Sequence, residues 1–149
     1  LRLRAGLDVR FVGVHLKSKR PVPEADEGLM RRNEARLLRA HLDALIAANP
    51  DEKIIVYGDF NEHRHEPAMI DIVGEPRPPG GLFEMHLRDS RQETWKDADV
   101  YSRFDYIFFT RTLNKYMDRR GSSICDASDY YAGSDHRPVV AKIWLTQKK

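Results

Sequence analysis

A single cysteine, Cys125, stands in 149 residues, so no internal disulfide can form and redox compartment is left open. Such a residue reads as a small buried apolar side chain rather than a nucleophile. No apolar run approaches the ~18 residues that a membrane-spanning helix needs. Charge of one sign is also scarce: the formal net charge of +2 is far from the basic footprint of a general DNA-binding domain. No signal-peptide pattern opens the chain. Its start, Leu1-Arg2-Leu3-Arg4, lacks a methionine and points to a cut or processed product. Internal repeats and low-complexity segments are missing as well.

What remains is the composition of one modest folded domain, 41% hydrophobic and 32% charged. Leu1–Ala5 alternates apolar and basic residues, and Asp8–Leu16 carries Val9, Phe11, Val12, Val14 and Leu16. The two read as an antiparallel hairpin turned at Gly6. Pro21 and Pro23 enforce a loop. Glu24–Asn49 is the clearest helix: Glu24, Asp26 and Glu27 crowd its start, and Leu38, Leu42, Leu45 and Ile46 form a stripe, with Met30 and Leu37 nearby. Arg31, Arg32, Arg39 and Asp43 fall mostly off that stripe. Pro50 stops the helix, and Lys53–Gly58 is a β-branched strand, so a crossover covering one sheet face is expected. Pro67 suits the first turn of a short helix to about Val73. Glu75–Gly81 reads as a loop. Leu82–Leu87, Glu93–Trp95, Ser102–Thr110 and Val139–Leu145 are strand candidates, and Arg111–Cys125 reads as a loop with a partial strand at its end.

Chemistry-bearing residues gather at the strand ends. Ile54-Ile55-Val56-Tyr57 stops at Gly58-Asp59-Phe60-Asn61. If the extended backbone continues, Asp59 and Asn61 point to one side, where a carboxylate and an amide suit a hard cation or a phosphate oxygen. The same residues also make a simple strand-capping turn. Asp105 sits among Phe104, Tyr106, Ile107, Phe108 and Phe109. It either faces solvent or has a partner, and a histidine would gain a fixed tautomer from it. Asp135 and His136 lie before the apolar Val139-Val140 run, and His15 near the end of the second strand. His63 and His65 read as exposed loop residues rather than metal ligands. Two basic clusters, Lys17, Lys19, Arg20 and Arg111, Lys115, Arg119, Arg120, are either solvated surface or anion guides.

In order, His15-Leu16, Gly58-Asp59-Phe60-Asn61, Phe104-Asp105-Tyr106-Ile107 and Ser134-Asp135-His136-Arg137-Pro138-Val139 form a set that resembles the endonuclease/exonuclease/phosphatase superfamily. That superfamily includes pancreatic-type deoxyribonucleases, exonuclease-III-type apurinic endonucleases, neutral sphingomyelinases and inositol polyphosphate 5-phosphatases. The His-Leu-Lys-Ser form around His15 looks more like the deoxyribonuclease, sphingomyelinase and secreted bacterial nuclease branches.

The resemblance implies an α+β fold: part of a four-layer α/β/β/α sandwich, mostly antiparallel sheet with a long helix packed on it. Residues 1–149 would correspond to the C-terminal portion of that domain, with the N-terminal portion absent. An early Asn and the principal metal-binding Glu would belong to that other portion. An uncovered sheet face, self-association or binding of the missing half would follow.

The resemblance further implies metal-dependent phosphodiester hydrolysis, first as a nuclease. The alternatives are a phosphatase, a sphingomyelinase-type lipid phosphodiesterase, or a non-catalytic fragment. The cofactor would be Mg2+ or Mn2+, held by Asp135 and the Glu of the other portion, with Asp59 and Asn61 as ligands of a second metal. His136 would activate water or stabilise the pentacovalent phosphate, and Asp105 would orient it. Asp59 and Asn61 would position water and phosphate. His15 would hydrogen-bond a phosphate oxygen or protonate the leaving group. Lys17, Lys19, Arg20 and Arg111 would guide the anionic substrate, a phosphodiester such as a nucleic acid.

Overall fold

Strand β4, Ile54–Asp59, is where the molecule is built outward from. Successive strand side chains face opposite ways. Ile54 and Val56 therefore enter one core and Ile55 the other. A computed structural model describes residues 1–74 and 80–146. The proposed loop Glu75–Gly81 falls mostly outside them.

The chain opens with β1 (Arg2–Arg4) and β2 (Leu7–Asp8), an antiparallel pair turned at Gly6, whose φ is +75°. The expected hairpin is thus present, but its second strand is broken. β3 (Arg10–His15) leaves β2 and joins β4 in parallel. Between β3 and β4 runs α1, Glu27–Ala48, which supplies the crossover a parallel pair requires. Its start is later than the acidic cluster suggests because Asp26 is the cap, accepting the Leu29 N–H at 3.0 Å.

α2 (Pro67–Val73) has Pro67 in its first turn, as expected. β5 (Leu82–Glu84), β6 (Trp95–Asp97), β7 (Val100–Ser102) and β8 (Asp105–Thr110) follow. A 3-10 turn, Arg111–Tyr116, leads into β9 (Met117–Ile124), and β10 (Val139–Ile143) ends the fold. β9 is a full strand where the sequence suggests mostly loop. Its Arg119-Arg120-Gly121 centre lacks alternation, but antiparallel pairing with β10 overrides weak local preference.

The main sheet has the order β3-β4-β8-β5, mixed parallel and antiparallel. On one face Leu42, Ile46, Met69 and Ile72 of the two helices pack against Ile54, Val56 and Phe108. On the other, Met117 and Ile124 of β9 pack against Ile55 and Phe109. The described residues therefore stack helices, sheet and a second small sheet, in keeping with the α+β sandwich. The helix stripe read in the sequence, Leu38, Leu42, Leu45 and Ile46, packs into this core, which Ala35 and Arg31 extend, while the nearby Leu37 is exposed. Phe11 and Tyr57, on the same face as Ile55, form an edge-to-face pair at 6.3 Å that stays largely open to solvent. Among the described residues no helix is long and apolar enough to cross a membrane.

Candidate active site

Sheet register sets the site. His15 is paired with Asp59 across β3 and β4, and Asp59 with Asp105 across β4 and β8. Three polar residues thus stand in a row at one end of three adjacent strands, all on the face toward β10. The Ser134–Pro138 segment, leading into β10, brings His136 onto that row. His136 Nδ1 lies 2.7 Å from Asp105 Oδ2. An ionised carboxylate only accepts, so the proton of this contact belongs to Nδ1 and the other ring nitrogen faces the cavity. The Asp105 side chain is 20% exposed, and the solvent-facing alternative is excluded.

Asp59 is the centre of the cluster. Its Oδ2 is 3.8 Å from His136 Nε2, 3.7 Å from His15 Nε2 and 3.2 Å from Asn61 Nδ2. Burial pushes the Asp59 carboxyl above its usual range, and the Asp105 carboxylate adds to the rise. The Asn61 N–H and the two imidazoles oppose it.

Asn61 reaches Asp59 differently from the extended geometry the sequence suggests. Its φ is +50°, a left-handed turn that Asn tolerates. Its backbone N–H donates to Asp59 Oδ1 at 2.8 Å, and its Nδ2 also donates to the Leu16 carbonyl at 3.0 Å. The turn reading and the site reading are therefore one feature.

A cavity of about 1070 Å³ is lined by His15, Asp59, Asn61, Asp105, Asp135 and His136. Lys19 and Arg20 line it too. Lys17 does not: its ammonium donates to the Ser18 and Arg20 carbonyls at 3.0 and 3.1 Å. Arg111 is a correction. It follows the far end of β8, six residues beyond Asp105, in a separate hollow with Asp51 and Lys115. A strand has two ends, and only one carries the site.

Several contributors are not among the residues the sequence singles out for the site. Trp95 Nε1 donates to Asp135 Oδ2 at 3.1 Å, and Trp95 bridges to His136 through the backbone. Its ring packs on Phe104 at 5.4 Å, as does His63 at 5.2 Å. A tryptophan beside a threonine in a short strand was the available hint. Thr94 is fully buried and ties the two halves of the dyad together. Its Oγ1 accepts the backbone N–H of both Phe104 and Asp105 at 3.1 Å, and its carbonyl accepts the Arg137 N–H at 2.6 Å. Thr94→Val keeps the shape but orphans those two donors. It should lower unfolding stability by about 2 kcal/mol in urea denaturation, since each unmet buried group costs ~1–3 kcal/mol. An unchanged midpoint would show that Thr94 holds nothing.

Carboxylate and amide oxygens such as those of Asp59, Asn61 and Asp135 suit a hard divalent cation. Yet among the described residues no group of three or more His, Cys, Asp or Glu is placed to hold a metal ion. Asp135 Oδ2 is engaged by Trp95, and Asp59 by Asn61. These residues do not compose a cation site by themselves.

The model of the Endonuclease/Exonuclease/phosphatase family matches residues 2–136. Among curated proteins none matches the chain. Among solved structures, TDP2 from Caenorhabditis elegans superimposes with a TM-score of 0.67 at 20% identity, over 95% of this chain and 44% of that one. Beta toxin from Staphylococcus aureus gives 0.58 at 18% identity, over 93% and 53%. An endonuclease/exonuclease/phosphatase protein from Bacteroides vulgatus gives 0.58 at 19%, over 80% and 45%. The chain spans about half the length of these structures, which share its fold. By the family match over most of its length, this chain belongs to the endonuclease/exonuclease/phosphatase family, whose enzymes are in general divalent-metal-dependent hydrolases of phosphate esters.

Proposed function

We propose that the site hydrolyses phosphodiesters and that its substrate is a nucleic acid. The observation that carries the reading is the 2.7 Å contact between Asp105 and His136 with Asp59 beside it. Asp105 holds the imidazole in one tautomer, and Nε2 then accepts a proton from the attacking water. Asp59 and Asn61 fix the place of that water and of the phosphate. His15, on the far side of Asp59, donates to a phosphate oxygen. The cavity lining offers both kinds of surface that a nucleic-acid strand needs: Lys19 and Arg20 suit its phosphates, and Trp95 suits a base.

A magnesium or manganese ion would neutralise charge building on the phosphate oxygens. Asp135, Asp59 and Asn61 are its candidate ligands in this chain, and the remaining ligands must come from outside the residues described here. We attribute them to a further portion of the domain beyond residues 1–149.

Incubation of the full-length protein with magnesium and a panel of single-stranded DNA, RNA, sphingomyelin and inositol phosphates tests the proposal. Turnover of a nucleic acid, abolished by EDTA and restored by the metal, is the expected result. Release of phosphate from inositol phosphates, or cleavage of sphingomyelin alone, would replace the nuclease reading.

A further inference from the structure

Two buried charges beside the cavity have no part in the hydrolytic arrangement. Arg31 of α1 is 5% exposed and Glu62, directly after Asn61, is 6% exposed. Arg31 Nε donates to Glu62 Oε2 at 2.9 Å, and its Nη1 donates to the Lys17 and Ser18 carbonyls at 3.3 and 3.2 Å. Glu34, also on α1, accepts the Lys17 N–H at 2.7 Å. The helix therefore grips the backbone of the loop that follows His15.

The other oxygen of Glu62 takes the Lys19 ammonium and the His63 N–H. Burial pushes the Glu62 carboxyl up, but the bonds from Lys19 and Arg31 outweigh it and hold it below the usual range. It is an anion shared by two cations, which leaves one positive charge over.

A buried ion pair adds little stability compared with apolar packing, and its better-attested use is to fix a geometry. What is fixed here is Lys19. Its side chain is 39% exposed, lines the cavity, and places Nζ 5.9 Å from the centroid of the Phe104 ring, the residue before Asp105. A free lysine side chain loses about 2 kcal/mol of rotamer entropy when it is ordered on a ligand. Glu62 has ordered this one beforehand.

We infer that Lys19, held by the Arg31–Glu62 pair, forms a second anion subsite for a phosphate adjoining the one at Asp59 and His136. Arg31 and Glu62 are its positioning residues. This rests on the phosphodiester reading and sharpens it: the substrate is a strand with successive phosphates rather than an isolated diester.

Calorimetric titration of the chain at low ionic strength with magnesium tests the subsite. The probes are dithymidine monophosphate and the same dinucleotide carrying one more phosphate at its 5′ or 3′ end. One of the phosphorylated forms should bind about tenfold tighter than the parent, the scale of one charge-assisted hydrogen bond. Lys19→Gln should erase that preference, so that the three dinucleotides bind it equally, whatever the affinity for the parent.

Glu62→Gln separates placement from charge, because it makes the wall more positive while releasing Lys19. The preference should fall with placement. A stronger preference in Glu62→Gln, or equal binding of all three dinucleotides by the unmodified chain, overturns the subsite. If Glu62→Gln does not fold, Lys19→Gln decides alone, and a preference that survives it overturns the subsite. Failure of the parent dinucleotide to bind at all instead overturns the phosphodiester reading, and the subsite with it.

Discussion

Asp105→Asn and His136→Ala are each expected to lower kcat for phosphodiester hydrolysis by about 10³–10⁴-fold, and the double variant should lose no more than the worse of the two. The reason is the 2.7 Å contact between His136 Nδ1 and Asp105 Oδ2. An ionised carboxylate admits only the tautomer with its proton on Nδ1. An asparagine amide can donate as well as accept, so the imidazole is free to carry its proton on Nε2, facing the cavity. A nitrogen already protonated there takes no proton from water. Asp105→Asn thus produces the same defect as removing the ring, which is why the losses should not multiply. KM should move little, because neither residue is the main contact of the bound ester. Steady-state rates on a model diester for the four proteins make the test. Losses that multiply in the double variant would show that the two residues act separately, and the proposed base would be rejected.

The residues of this dyad were legible because a lone acid in an aromatic strand needs a partner, and His136 stands beside another strand-like run. Strand position alone carries Asp59 and Asp105 to the same end of the sheet once β4 and β8 are antiparallel. The same logic misplaced Arg111, since following a strand in sequence does not say which end of it the site occupies. Arg31 was read as part of a polar helix face because periodicity is blind to a partner 31 residues away, and Glu62 supplies that partner. Glu93–Trp95 reads as a strand, but the role of Trp95 and Thr94 at the site is not legible, for a related reason. Their β6 hairpin is short, and its importance comes from the backbone bridge to His136, which no local pattern encodes. The Asn61 turn shows a third limit. Both readings of Gly58-Asp59-Phe60-Asn61 were available, and only the left-handed backbone at Asn61 shows that they coincide.

Gly58 joins the fold to the site, and Gly58→Ala should be the most damaging of the small substitutions. Its φ is +140°, a region L side chains rarely enter, and an added Cβ would lie 1.9 Å from the Val14 carbonyl oxygen. That oxygen belongs to the neighbouring strand, in register with Gly58, so it cannot swing away as a flexible side chain would. Backbone strain of ~1–3 kcal/mol adds to an overpacking cost of ~1–3 kcal/mol, for a combined loss of about 3–5 kcal/mol. For a domain of this size that corresponds to a fall in Tm of roughly 10 °C. Gly13→Ala is the control: its Cβ would meet the far end of the Tyr57 ring at 3.3 Å, which can move. It should cost less than about 1.5 kcal/mol. The damage at Gly58 also has a direction. The next register pair along is His15 with Asp59, so parting β3 from β4 parts the two residues that face the phosphate. Gly58→Ala should therefore lose dinucleotide affinity even at temperatures where it remains folded, whereas Gly13→Ala should keep it. Equal midpoints for the two variants would mean that β3 and β4 are free to slide, and that the row of His15, Asp59 and Asp105 is not held by the sheet.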